Sequence, residues 1–233
     1  MKLTAFAARL FFSAIFFFAC ATVRGEVRTN SYGLRVVTDI RDYMAQVKES
    51  PDLAMVDARK VIPSIKVDLK YAGTHNLLGK KLYTWARPLV RKQVAERLRR
   101  VQEDLSKEGL GLKIYDAYRP YNITVELWRG KALKPEYLAP PRLGSHHNRG
   151  AAVDVTLVDA QGQELDMPSH FDDLSERASH NFKNASPSAL ANRRKLGTTM
   201  CRHGFVGLSN EWWHYRTEDA EKFDILDIPF MEF

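Results

Sequence analysis

"GSHHNRGAAVDVTLVD", residues 144 to 159, runs two histidines through a glycine into an apolar segment. Its second half, "AAVDVTLVD" (151 to 159), reads as a strand, and the following "AQGQ" reads as the turn that ends it. His147 and Asp154 stand seven positions apart with Gly150 between them. A histidine in a loop and an aspartate entering a strand converge if the chain folds back at that glycine. Imidazole nitrogen and carboxylate oxygen are both donors that zinc accepts.

Working outward, "LKIYDAY" (112 to 118) reads as a strand ended by Arg119-Pro120. "GFVG" (204 to 207) and "WWHYR" (212 to 216) read as strands around a short irregular stretch. "SIKVDLKYA" (64 to 72) alternates Ile65, Val67 and Leu69 against polar neighbours, the pattern of a half-buried strand. Val90, Val94, Leu98, Val101 and Leu105 fall on one helical face, predicting a helix from about Pro88 to Glu108. Pro88 suits its first turn and Gly109 its end. Further helices are expected near Asp39 to Lys48, over 121 to 130, and over 187 to 203 after Pro187. The elements mix without regular βαβ alternation. The expected fold is therefore α+β, a central antiparallel sheet with flanking helices.

The bulk numbers suit one domain with an extension. The chain has 233 residues, 45% hydrophobic and 27% charged, with a formal net charge of +7. A nucleic-acid binder gathers its basic excess into a stripe interleaved with aromatics. Here the basic residues are scattered among acids, as in "RKQVAERLRRVQEDLSKEG" (91 to 109), so no nucleic-acid partner is expected. The balance suits solubility and mild attraction to anionic surfaces. Residues 1 to 21 read as a secretory signal peptide: Lys2 and Arg9, an apolar core from Leu10 to Ala19, then an A-x-A arrangement at Ala19 and Ala21. That core is short of the ~20 residues of a spanning helix, so no membrane span is expected after cleavage. An uncleaved anchor and a lipid on Cys20 stay open as alternatives. The expected location is outside the cytoplasm, in the periplasm, with the folded domain over 26 to 233. If Cys20 leaves with the signal, Cys201 has no partner, and no disulfide framework exists. The oligomeric state is not legible.

Seven histidines are present, and most are expected to be packing or surface residues. Those beside other donors stand out. His214 follows Glu211 by three positions inside "EWWHY". His147, Asp154 and His214 make a three-ligand set, the number that a catalytic zinc keeps beside one open position. Glu211 is then free to act as general base. On a straight strand, residues three apart point to opposite faces, so Glu211 and His214 need a turn or bulge between them. The bland alternative makes Trp212, Trp213 and Tyr215 core aromatics, His214 a packed neighbour and Glu211 a surface acid.

Ser145, His147, Gly150, Ala152 and Asp154 match S-x-H-x-x-G-x-A-x-D, and Glu211 to His214 match E-x-x-H. Together these resemble the zinc DD-peptidase and hedgehog-like group. Three longer stretches, "DLKYAGTHNLLGKKLY" (68 to 83), "DAYRP" (116 to 120) and "DMPSHFDDLSERASH" (166 to 180), resemble its D-alanyl-D-alanine dipeptidase branch, the vancomycin-resistance type. The resemblance implies one zinc ion per subunit on His147, Asp154 and His214, with His146 a bystander. It implies Glu211 as base and then proton donor, and Arg119 facing the scissile carbonyl. Ser145 either contacts the dipeptide or serves the turn. Tyr71, Asn76 and Asp172 fall in matching stretches without a derivable role. Ala117 and "PSH" (168 to 170) depart from the family pattern, which bears on substrate preference. The implied activity is hydrolysis of D-Ala-D-Ala in cell-wall peptide metabolism. A DD-carboxypeptidase or endopeptidase acting on longer stem peptides is the alternative. A zinc-stabilised binding module is the alternative of another class, disfavoured because structural zinc sites are closed by four ligands and rich in cysteine.

Overall fold

The computed structural model describes residues 29–130 and 137–233. Residues 1 to 21, where a signal peptide is expected, and Cys20 among them, lie outside the described residues. Cys201 is free and exposed.

The strands are β1 (Val36–Val37), β2 (Met55–Asp57), β3 (Lys66–Val67), β4 (Leu89–Arg91), β5 (Gly111–Asp116), β6 (Ala152–Val158), β7 (Phe205–Leu208), β8 (Glu211–Thr217) and β9 (Ile225–Leu226). The helices are α1 (Ile40–Glu49), α2 (Ala58–Val61), α3 (Lys92–Ser106), α4 (Tyr121–Arg129) and α5 (Pro187–Arg202). Five strands form the main sheet in the order β3-β5-β6-β8-β7. Every pairing in it is antiparallel except β3 with β5. The α+β expectation and its central sheet are thus met.

All seven residues of β6 are buried, which is why its sequence is a nearly continuous apolar run broken by Asp154 and Thr156. The helix α3 buries Val94, Ala95, Leu98, Val101 and Leu105 against the sheet. Each of the larger side chains there is worth about 1.5–3 kcal/mol of burial. Trp212 and Trp213 meet edge to face at 5.4 Å within the same core.

Two expectations need correction. The helix does not begin at Pro88: residues 89–91 form β4, antiparallel to β2, and α3 starts at Lys92. Pairing with Met55–Asp57 overrides the helical periodicity, and Val90 is buried in a strand. "SIKVDLKYA" yields only the two-residue β3 before a 3-10 turn at Lys70–Ala72. The short pairs β1·β9 and β2·β4 were not foreseen, because two- and three-residue strands leave no periodicity to read. The β1·β9 pair is parallel and joins segments far apart in sequence. Beside it, the Tyr118 hydroxyl donates to the Ile228 carbonyl (2.9 Å) and accepts from the Ile228 N–H (3.0 Å). Asp39 caps α1, its carboxylate accepting from the Arg41 N–H at 2.8 Å.

Candidate active site

One row across the sheet organises the site. Asp116 on β5 pairs with Asp154 on β6, and Asp154 pairs with His214 on β8. Side chains directly opposite on neighbouring strands sit about 4.5–5.5 Å apart, so the ladder itself delivers two carboxylates and an imidazole side by side. His147 reaches the row from the 3-10 turn His146–Arg149. Ser145 caps that turn, its Oγ accepting from the His147 N–H, while the Asn148 side chain accepts from the Ser145 N–H at 2.7 Å. Gly150 ends it in the left-handed region at φ +65°, as the fold-back reading requires. A Cβ there would lie 2.6 Å from the Met55 side chain.

The three donors converge. His147 Nε2 lies 3.2 Å from Asp154 Oδ1 and 3.1 Å from His214 Nδ1, and His214 Nδ1 lies 3.0 Å from the same carboxylate oxygen. All three residues are buried. His147 Nδ1 donates to the Ala117 carbonyl at 2.7 Å, which turns the lone pair of Nε2 into the cluster. This tests the fit of a cation: zinc bonds of about 2.0–2.1 Å in a tetrahedral shell separate their ligands by roughly 3.3 Å, close to the spacings present. Three hard or borderline donors, no thiol and one carboxylate are a donor set that suits such an ion.

Charge around the cluster is set by burial. Burial pushes the Asp154 carboxyl up, but the charges and hydrogen bonds of His147 and His214 outweigh it and hold the group well below the ordinary carboxylate range. Burial opposes protonation of His214, and the hydrogen bond and charge of Asp154 reverse that and raise it. Burial lifts the Glu211 carboxyl to about 7; Asp154 adds to the rise, and His214 and Arg119 oppose it.

Glu211 reaches the same cavity by the bulge that its spacing demanded. The β7–β8 register passes from Gly207↔Tyr215 to Leu208↔Glu211, one step on β7 against four on β8. That irregularity lets Glu211 and His214 line one cavity of about 370 Å3 with His147, Asp154, Arg119 and Ser145. Trp212 and Trp213 are core aromatics, as the bland reading had them, yet His214 stands in the cluster. Arg119 is fixed rather than free: its Nε and Nη2 donate to Asp116 Oδ2 at 3.0 and 2.8 Å, and its guanidinium lies 4.9 Å over the Tyr71 ring. Its Nη2 is 3.9 Å from Asp154 Oδ2, and the Tyr83 hydroxyl donates to Asp116 Oδ1 at 2.8 Å.

The family model described as D-ala-D-ala dipeptidase, Peptidase M15, matches residues 52–233. The chain belongs to that family. Among curated members of the D-ala-D-ala dipeptidase family, a D-alanyl-D-alanine dipeptidase of Escherichia coli K12 is 38% identical over 176 residues, covering 76% of this chain and 91% of that protein. One from Enterococcus faecium is 31% identical over 180 residues, covering 69% and 89%. One from Streptomyces coelicolor is 32% identical over 200 residues, covering 76% and 98%. A solved structure, VanYB in complex with D-alanine-D-alanine, overlaps with a TM-score of 0.37 at 18% identity over 74% of this chain and 90% of that one, too loosely to carry an argument.

Within this D-ala-D-ala dipeptidase, every residue singled out for the site lines the one cavity. His146 lines it too, but its Nε2 meets Glu221 Oε1 at 2.8 Å, apart from the donor cluster. Asn76 is a turn residue, its amide donating to the carbonyls of Lys70, Gly73 and Lys80. Sequence reasoning left Asp116, Tyr83 and Asp172 without roles. Asp172 sits at φ +61°, an unusual backbone for a non-glycine residue. Its carboxyl faces the cavity and meets the Tyr71 hydroxyl at 3.2 and 3.3 Å. Burial, then the charge of Asp154, pushes it well above the ordinary range, against Arg119. The signal available for Asp116 was "DAYRP" itself, an acid three residues before the arginine it holds.

Proposed function

We propose that the chain is an exported zinc dipeptidase that hydrolyses D-Ala-D-Ala to two D-alanines. The observation that carries the reading is the convergence of His147, Asp154 and His214 at 3.0–3.2 Å inside a cavity that also holds Glu211 and Arg119. His147, Asp154 and His214 would hold the zinc. When bound, the ion supplies Lewis acidity toward a peptide carbonyl and an acidified water. Glu211 takes the proton of the attacking water and hands it to the leaving amine. Its carboxyl is poised near neutrality by burial, where a general base is most effective. Arg119, locked by Asp116, keeps its charge beside the carbonyl oxygen as negative charge develops there, and losing such a donor typically costs on the order of 100- to 1000-fold. Asp172, whose one described hydrogen-bond partner is a tyrosine hydroxyl, takes the substrate's ammonium group. Ser145 serves the turn with its hydroxyl.

Membership in a family of D-ala-D-ala dipeptidases, with matches spanning most of each relative, supports the substrate. The basic and apolar segment at residues 1 to 21 supports export, and a periplasmic enzyme with this activity would recycle dipeptides released from the wall. The test is turnover by zinc-loaded protein of D-Ala-D-Ala beside a stem pentapeptide and the L,L dipeptide, with and without chelator. Chelator-sensitive cleavage confined to D-Ala-D-Ala is expected. Preferential cleavage of the pentapeptide transfers the reading to a DD-carboxypeptidase, and activity that survives chelation rejects the metal.

A further inference from the structure

A zwitterionic dipeptide brings an anion as well as a cation into the cavity, and the acids and bases around the metal cluster do not account for the anion. The cavity-lining residues include three basic side chains besides the clustered imidazoles: Arg119, His146 and Arg216. Arg119 is committed to Asp116 through two hydrogen bonds. His146 is committed to Glu221, which Arg149 also holds at 2.8 Å. Arg216 stands apart: it donates from Nη1 to the Thr217 carbonyl at 3.2 Å and forms no ion pair among the described residues. It is part-exposed, so its charge reaches the cavity without a buried partner to neutralise it.

The ladder fixes where that charge lies. Opposite β6 the β8 register is regular, with His214 facing Asp154 and Arg216 facing Ala152. Residues two apart on a strand share a face, so Arg216 lies on the face of His214, about 7 Å farther along the strand. It lines the cavity together with His146. Asp172 lines the same cavity beside Tyr71, under the charge of Arg119. The three clustered donors thus share their cavity with a buried acid and an uncommitted guanidinium. A dipeptide whose scissile carbonyl is at the cluster places its carboxylate one residue farther on, about 3.3–3.6 Å, within reach of the long arginine side chain.

We propose that Arg216 binds the C-terminal carboxylate of the substrate and so selects peptides that end one residue beyond the scissile bond. The proposal rests on the dipeptidase reading and deepens it. Arg216 is a specificity-determining residue; the reacting bond is served by others. An extended or capped C-terminus would present a neutral amide to a guanidinium and forfeit a charge-assisted hydrogen bond.

The experiment compares zinc-loaded wild type, Arg216→Gln and Arg216→Lys on D-Ala-D-Ala and on its C-terminal amide, with kcat and KM determined separately. Loss of a hydrogen bond to a charged group amounts to on the order of 10- to 100-fold. Arg216→Gln is expected to raise KM for the free dipeptide by that factor with kcat within about threefold, and Arg216→Lys to recover part of it. On the amide, wild type and Arg216→Gln are expected to match, because the anion is already gone. Equal losses on both substrates, a fall in kcat at unchanged KM, or no change at all overturns the carboxylate contact while leaving the dipeptidase reading intact. A wild type that cleaves neither substrate overturns the dipeptidase reading and the contact with it.

Discussion

Glu211→Gln separates what the buried carboxylate costs the fold from what it contributes to catalysis. In the metal-free protein burial lifts the Glu211 carboxyl from its ordinary 4.5 to about 7. The unfolded chain releases that proton near 4.5, whereas the folded chain keeps it to about pH 7. Between those limits the folded state binds more protons, so this group lowers wild-type stability as pH rises. At ~1.4 kcal/mol per pKa unit the rise corresponds to roughly 3 kcal/mol. The carboxyl is enclosed but the residue as a whole is part-exposed, and solvent screening brings the expected figure to about 2 kcal/mol. Glutamine keeps the shape and carries no charge. Metal-free Glu211→Gln should therefore match wild type below about pH 4.5 and exceed it by about 2 kcal/mol above about pH 7. Urea unfolding of chelator-treated protein at several pH values measures the difference. A difference that stays flat with pH, or runs the other way, refutes the buried-base argument. In zinc-loaded protein the same variant is expected to retain metal and lose turnover by on the order of 100- to 10,000-fold. Near-normal rates with full metal content would take Glu211 out of the mechanism.

Asp116→Asn leaves Arg119 buried beside a neutral amide; breaking such a pair costs about 3–5 kcal/mol, eased here by Asp154 at 3.9 Å, so a loss of about 2–4 kcal/mol in urea unfolding is expected. The loosened guanidinium should also lower kcat on the order of 100-fold; unchanged stability and rate would show that Asp116 does not hold it. Gly150→Ala puts a side chain at φ +65° and against Met55, and should cost about 1–2 kcal/mol and weaken metal affinity, read by thermal melting and by metal competition; a variant as stable as wild type would dismiss the turn argument. In the zinc-loaded enzyme the acid limb of kcat/KM against pH should fall at or below about 7, since a nearby cation favours ionised Glu211; a limb clearly above 7 would point to another base.

Much of this site could be read before the fold was known, and the reason is geometric. His147 and Asp154 are linked by one glycine turn, a local event that spacing reveals. The distance from Glu211 to His214 required a bulge, and the β7–β8 register contains one. Neither Asp116 nor Asp172 could be assigned in this way. Asp116 gains its meaning from a ladder position opposite Asp154 and from Tyr83, thirty-three positions away. Asp172 gains its own from a left-handed backbone beside Tyr71. The false helical start at Pro88 has the same origin: the apolar pattern of Val90 and Val94 is common to both environments, and only the partner strand β2 decides between them.

The arginine turn is latched by a distant strand. Tyr118, the neighbour of Arg119, is held through both hydrogen bonds of its hydroxyl by Ile228, next to the parallel pair that ties Val36–Val37 to Ile225–Leu226. Proteolysis between residues 218 and 224 would therefore leave each liganding and proton-carrying group chemically whole while loosening the turn that carries Arg119. Such a nicked molecule would resemble a point mutant of its own catalytic centre, although no residue of that centre is cut.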